Sequence, residues 1–369
     1  MSQGDFVDVT GSHPMLADMR RQPQSLAGLL ARAAEFAAES HGLSGDRSGR
    51  VYGFGSGDGW FAARAATDFA RQRLGLRYKA ASALEMLAYT APKMGPDDLA
   101  VAISMSGTAD RTNEAAEAIR ARGALVLALT NGSGGNLAKI AQSKISLELT
   151  DLAPFLTGTA KYTASLLGLM LLLQGAAGRN DDELQTAIRA LPAIASGAEA
   201  FAREQAETLI TRPITGIRIL ASGCNLATAD YGTAKFLKLM PLPATADDIE
   251  EFAHRQFWST PADDLVIYIA ANPAAARCAS ASAAALGGMG MRTIAIDTPS
   301  SPVTTAAGRF TLPDIGEPVS PLLAAIPIQF LSYFIARAQG GNPDISQDVG
   351  DPARFHAAQL LSRRQELTP

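Results

Sequence analysis

The residues best suited to chemistry lie in one short stretch, I-S-M-S-G-T-A-D-R-T at positions 103–112. Ser104, Ser106 and Thr108 place hydroxyls at alternating positions around Gly107, and Thr112 follows one helical turn later. The apolar run at 98–103 reads as a buried strand, and A-A-E-A-I-R after the stretch reads as the opening of a helix. Such a strand-to-helix turn makes an anion cradle. First-turn N–H groups point outward, hydroxyls add donors, and glycine lets the backbone approach a bound oxyanion. The chemistry on offer is recognition of a phosphate on a small ligand. The same pattern also describes a Ser/Thr-rich helix cap that binds nothing.

Positioning this loop requires a sheet edge, and the surrounding sequence supplies one. V-Y-G-F-G after Arg50 reads as a strand ending in G-S-G-D-G-W, followed by a helix over 61–74. A short strand at 78–83, a helical stretch to about 94, the strand at 98–103 and a helix to 121 come next. A-L-V-L-A-L-T (124–130) is a buried strand, N-G-S-G-G-N a polar turn, L-A-K-I-A a helix start, and 145–149 a last strand before the apolar helix 160–176. Strands alternating with helices predict a parallel sheet covered on both faces. Upstream, 15–39 has helical spacing broken at Gln22-Pro23, and residues 1–13 read as a mobile lead. A charged helical connector over 179–207 leads to a second series, with strands at 217–221, 264–270 and 291–297. An edge strand at 310–312 and a long apolar helix over 321–339 complete it.

The two series repeat one unit. P-D-D-L-A-V-A-I-S (96–104) resembles A-D-D-L-V-I-Y-I-A (262–270) at an offset of 166 (264 − 98). Gly55 and Gly223 read as ends of the first strands, and Thr130 and Asp297 as ends of the third, at 168 and 167. Where the first copy has S-M-S-G-T, the second has A-A-N-P-A-A, so one phosphate site per pair is expected. The expected organisation is an N-terminal helical segment (1–45), a first domain (46–178), the connector (179–207), a second domain (208–341) and a tail (342–369).

Composition narrows the partners. With 369 residues, 47% apolar and 18% charged, the chain can build two cores. A net charge of −4 and the absence of a dense Lys/Arg block argue against nucleic acid. Cys224 and Cys278 form no C-x-x-C or disulfide framework, which fits a reducing cytoplasm. The acidic, polar start is unlike a signal peptide, and the longest apolar run read from the sequence, 166–173, is too short to span a bilayer. No membrane partner is expected. His13, His41 and His356 lack spaced partners, so no metal site is expected, and no cofactor.

On these motifs the chain resembles the SIS (sugar isomerase) domain family in its tandem form. The likeness is to the isomerase half of the glutamine–fructose-6-phosphate aminotransferases and to the fructosamine-6-phosphate deglycases. The 103–112 stretch matches the family's S-x-S-G-x-T-x-D-T loop. T-G-T-A-K-Y-T (157–163), G-T-A-K-F-L-K (232–238), E-E-F-A-H (250–254), I-P-I-Q-F-L-S-Y (326–333) and Q-P-Q-S-L (22–26) match further segments in order. The resemblance implies an α/β fold of two tandem SIS domains, each a five-stranded parallel sheet with helices on both faces in a flavodoxin-like three-layer αβα arrangement. It also implies a homodimer with sites at the subunit interface and a 6-phosphorylated sugar on the first-domain loop.

Carried over residue by residue, the resemblance makes Ser104, Ser106, Gly107 and Thr108 the phosphate site. The family threonine two places after the glycine is Ala109 here, for which Thr108 or Thr112 compensates. The family serine before the first helix falls on Gly57, with Ser56 beside it. Thr159 and Lys235 line the sugar. The family histidine falls on His254, reaching the neighbouring subunit's site, and the family's base glutamate falls on Lys238. The family's tail lysine has no counterpart after Asp344, and its H-G-P is H-R-Q. Lys238 reads as a binder of an acidic group, a desolvated base or Schiff-base nucleophile, or a solvated helix lysine. Glu251, with Glu250, reads as a displaced base or a solvated acidic turn. Glu85 reads as structural. Residue 2 is Ser, so glutamine-dependent amide transfer is not expected of this chain. Two functions stay open: an enzyme on a phosphorylated amino sugar or fructosamine, and a non-catalytic phosphosugar sensor.

Overall fold

The computed structural model describes residues 13–44, 49–133, 135–153, 156–210, 212–345 and 351–361. Of the lead expected at 1–13, residues 1–12 lie outside that set, as do 346–350 and 362–369 of the tail. Three helices come first: α1 (Pro14–Arg20), α2 (Gln22–Ala31) and α3 (Ala33–Ser44). Pro23 sits in the first turn of α2, where a missing N–H breaks no helical bond, so Gln22-Pro23 opens a helix.

The first sheet unit follows in strict alternation. Its elements are β1 (Val51–Gly55), α4 (Asp58–Ala65), β2 (Tyr78–Ser82), α5 (Ala83–Glu85), β3 (Leu99–Ile103), α6 (Asp110–Ala121), β4 (Leu125–Thr130), α7 (Leu137–Ile140), β5 (Ser143–Ser146) and α8 (Ala160–Ala177). The long α9 (Asp182–Ile210) leads into the second unit. That unit comprises β6 (Ile217–Ala221), α10 (Asn225–Leu239), β7 (Ala244–Asp248), α11 (Glu251–His254), β8 (Leu265–Ile269), α12 (Pro273–Gly288), β9 (Arg292–Asp297), β10 (Gly308–Thr311) and α13 (Ser320–Ala338). A last helix is Pro352–Leu361.

Both sheets are five-stranded and wholly parallel, in the orders β2-β1-β3-β4-β5 and β10-β9-β8-β6-β7. Read from the first strand outward, each is the doubly wound 2-1-3-4-5 order. β1, β3, β6 and β8 are buried at every position, as central strands covered on both faces must be, which is why they read as unbroken apolar runs.

Several boundaries moved. The strand expected at 145–149 is Ser143–Ser146, because the chain leaves the sheet at Glu148, whose φ is +57°. The helix expected from 61 starts at Asp58 and gives way to a wider π turn at Phe69–Arg73. β7 carried no sequence signal: A-T-A-D-D is an edge strand with partly exposed positions and two aspartates. The repeat is more regular than the glycines suggested. β1 and β6 lie 166 apart (217 − 51), as do β3 and β8 (265 − 99). Gly223 therefore corresponds to Gly57, not Gly55, and both have a positive φ, +60° and +54°.

One apolar core joins the inner faces of the two sheets through α8, α9, α10 and α13. Smaller clusters sit on the two outer faces, under α6 and under α12. The expected connector, α9, buries a stripe of Leu184, Ile188, Leu191, Ala195 and Ala198 against this core. The segment Glu317–Ala338, which contains most of the long apolar helix expected at 321–339, is long and apolar enough to cross a membrane, and its residues 319–336 are buried within the fold.

Candidate functional site

The order of the first sheet reverses between β1 and β3, so their following loops diverge and leave a crevice at the strand C-termini. A cleft of about 420 Å³ lies there, bordered by Ser56, Asp58, Ser104, Ser106, Thr112 and Lys161, among others. The loop after β1 turns at Gly57 into α4, and the loop after β3 turns at Gly107 (φ +66°) into α6. Neither helix has a side-chain cap at its N-terminus, and in the first turn of α4 the Gly59 N–H donates to the Ser56 carbonyl at 3.2 Å.

Hydroxyls complete the cradle. Ser104 is buried at the strand end and Ser106 is exposed on the loop, its Oγ 2.8 Å from Thr108 Oγ1 and accepting the Thr108 N–H at 3.2 Å. Thr112 borders the cleft from the first turn of α6, fully buried, with no partner for its Oγ1. The loop is braced from behind, where Leu137 N–H donates to the Gly107 carbonyl at 3.0 Å and Asn131 N–H to that of Met105 at 2.9 Å. Ser56, Ser104, Ser106 and Thr112 therefore meet in one cleft. Gly107 and Thr108 shape the loop but do not border the cleft.

The opposite wall is the turn into α8. Gly158 borders the cleft, while the expected sugar contact Thr159 is buried and donates its hydroxyl to Asp18. Asp18 also accepts the Ala160 N–H at 3.0 Å, so this helix start is already capped. A buried network holds the turn in place. Gln22 Nε2 donates to Gln329 Oε1 at 2.6 Å, Gln329 Nε2 donates to the Tyr231 hydroxyl at 2.9 Å, and that hydroxyl donates to the Gly158 carbonyl at 3.0 Å. The Tyr231 ring stacks on Tyr162 with centroids 3.6 Å apart.

Lys235 lies beneath the cleft rather than in it. Its ammonium is wholly buried, 2.9 and 3.0 Å from the two oxygens of Asp58 and 3.0 Å from the Gly158 carbonyl. All three donors are thereby used. Burial pulls its pKa down to about 8, with Lys238 adding to the fall and Asp58 opposing it. The Asp58 carboxylate is 25% exposed and borders the cleft. Sequence reasoning passed over Asp58, although it is the first helical residue after G-S-G. It also passed over Asp151 and Lys161, an ion pair at the same cleft.

The other sequence candidates sit elsewhere on this chain. Lys238, Glu251 and His254 are exposed and do not border the cleft. Glu250 accepts from the Cys278 thiol at 3.2 Å; burial, then Glu250, pushes that thiol up to about 11. Glu85 pairs with Lys79 at 2.8 Å, in keeping with a structural part.

Comparison with known proteins adds to this geometry. Residues 48–173 match the SIS domain family. The chain is 28% identical over 344 residues to a glutamine–fructose-6-phosphate aminotransferase (isomerizing) of Pyrobaculum aerophilum, covering 90% of this chain and 56% of that protein. It spans about half the length of the curated relatives it matches. The C-terminal domain of glucosamine-fructose-6-phosphate aminotransferase from Francisella tularensis shares the fold with a TM-score of 0.76 at 16% identity, over 90% of this chain and 98% of that one. Tagatose-6-phosphate ketose/aldose isomerase from Escherichia coli does so with a TM-score of 0.69 at 17% identity, over 90% and 95%.

Proposed function

We propose, from the premise that residues 48–173 are a SIS domain, that the β1–β3 cleft binds a 6-phosphorylated sugar or amino sugar. On it the chain acts as a phosphosugar isomerase or a fructosamine-6-phosphate deglycase. One observation carries the reading. Two helix N-termini without side-chain caps and the hydroxyls of Ser56, Ser104, Ser106 and Thr112 converge on one cleft. That set offers backbone and hydroxyl donors to a dianion without needing a cation. The second sheet has A-A-N-P-A-A at the corresponding loop, so the pair offers one such cradle. The relatives named for fructose 6-phosphate and tagatose 6-phosphate support a ketohexose phosphate as the ligand class.

The reading includes a homodimer in which His254 serves the neighbouring copy's cleft. His254 is exposed, close in sequence to Trp258, which is 81% exposed. A surface tryptophan at that exposure is characteristic of a contact site. A second reading, a phosphosugar sensor without turnover, is favoured by the absence of His254, Lys238 and Glu251 from this chain's own cleft.

Titration calorimetry with fructose 6-phosphate and glucosamine 6-phosphate, against the unphosphorylated sugars, tests the binding reading. Saturable binding of the phosphorylated forms alone is expected. Equal binding of both forms, or of neither, overturns it. Ketose/aldose exchange and amine release from a fructosamine 6-phosphate panel then separate enzyme from sensor.

A further inference from the structure

The position expected to carry the isomerase base holds Lys238, so the cleft needs another carboxylate if the reaction runs. Among the described residues two border it, Asp58 and Asp151. The Asp151 side chain is 61% exposed and paired with Lys161. Asp58 is different in kind. Its carboxylate is mostly enclosed, both oxygens lie within hydrogen-bond distance of Lys235, and it follows directly on the turn that carries Ser56. Opposite it stands Gly158, where an added Cβ would come within 2.5 Å of Asp58 Oδ2. The wall is thus hollowed for this carboxylate. The repeat supplies an independent comparison. At the same turn of the second unit, after Gly223, the residue is Cys224, and there the hydroxyl loop is missing too. Carboxylate and cradle occur together in one copy and are both absent from the other.

We propose that Asp58 is the base that moves the proton between C1 and C2 of the bound sugar, and that Lys235 is its positioning residue. The proposal rests on the phosphosugar reading above. In the ketose-to-aldose direction the carboxylate takes a proton from C1 of the open-chain sugar. The C1–H electron pair becomes the C1=C2 bond, and the carbonyl pair moves to O2, which takes a proton from solvent. The carboxylic acid then returns its proton to C2, while O1 releases its proton to solvent and forms the new carbonyl. No oxidant or reductant is needed. Lys235 has no donor left for the sugar; its part is to fix the carboxylate in place.

The test is solvent deuterium exchange at C1 and C2 of fructose 6-phosphate and glucosamine 6-phosphate, followed by NMR, with affinity measured in parallel. Asp58→Asn is expected to slow exchange about 100-fold or more, the usual scale for a lost general base. Affinity should stay within about threefold, and Asp58→Glu should retain part of the rate. Lys235→Gln should slow exchange at saturating sugar about tenfold while affinity stays within about threefold, because the carboxylate is no longer held against the reacting carbon. A merely structural lysine would not confine its effect to turnover. Should Asp58→Asn not fold, the paired Asp58→Asn/Lys235→Gln variant carries the test, since it leaves no unpaired charge. Wild-type rates in a folded Asp58→Asn protein overturn the proposal, as does exchange lost in Asp151→Asn and kept in Asp58→Asn. Wild-type protein that binds both sugars without exchange overturns the base and leaves the binding reading standing. Protein that binds neither sugar overturns both.

Discussion

Lys235 Nζ, on a helix of the second unit, lies 2.9 and 3.0 Å from the two carboxylate oxygens of Asp58, on a helix of the first. The pair ties the wall of one repeat's cleft to the core of the other. Lys235→Met leaves a mostly enclosed carboxylate unpaired and removes a donor from the Gly158 carbonyl. A loss of about 3 kcal/mol is expected in denaturant unfolding, the low end for breaking a buried pair because Asp58 keeps some water contact. The pH dependence has a definite sign. The folded pKa, about 8, lies below the lysine's ordinary value of 10.5, so the unfolded chain binds the extra proton between those values. The cost of burying the charge is full below about 8 and falls as pH rises toward 10.5. The stability gap between wild type and Lys235→Met should therefore widen from pH 7 to pH 10; a gap that narrows contradicts the assignment.

Thr112 offers a cleaner probe of the cradle than the serines. Its Oγ1 is buried without a hydrogen-bond partner. Thr112→Val keeps the shape and removes only that hydroxyl, so the melting temperature should hold or rise. Affinity for fructose 6-phosphate should fall about tenfold, the scale of one hydrogen bond to a charged group. The Ser104→Ala/Ser106→Ala variant should lose more, about 100-fold or beyond, as two such bonds go. Unchanged affinity in both variants would place the phosphate elsewhere.

The sheets were readable because their central strands are covered on both faces and so run apolar without interruption. β7 was not, since an edge strand of A-T-A-D-D draws its place from pairing with β6 and not from its own side chains. The cradle was readable from Ser104, Ser106 and Gly107, a local pattern in one turn. Asp58 was not readable, because its meaning comes from Lys235, 177 positions away, and from the space left at Gly158. Likewise Lys235 and Thr159 belong to segments that resemble the family's in sequence, yet burial and Asp18 turn both into supports for the cleft wall.

A shared-site dimer makes a prediction that no single chain can meet. The Ser104→Ala/Ser106→Ala and His254→Ala proteins should each be inactive. After subunit exchange, heterodimers would carry one site with both defects and one with none. Mixing equal amounts should return activity to about a quarter of wild type if half the dimers are mixed. Sedimentation should report a dimer, and Trp258→Asp should weaken it. No recovery on mixing, with exchange verified by mass spectrometry, would mean that His254 does not cross to a neighbour.

Gly158→Ala puts the cleft wall itself to the test. The added methyl would meet Asp58 Oδ2 at 2.5 Å, closer than any stable contact, with Lys235 Nζ 3.9 Å away. The backbone cannot retreat easily, because Tyr231 and Lys235 both hold the Gly158 carbonyl at 3.0 Å. The carboxylate must therefore yield, and its bond to Lys235 lengthens. Overpacking of this kind costs about 1–3 kcal/mol. The hydroxyls of Ser104, Ser106 and Thr112 lie on the separate segment between β3 and α6 and should keep most of the affinity for glucosamine 6-phosphate. Proton exchange on the same ligand should fall steeply, because the reacting carbon and the displaced carboxylate no longer align. A Gly158→Ala protein that binds and exchanges like wild type would show that the position of Asp58 is indifferent to the chemistry.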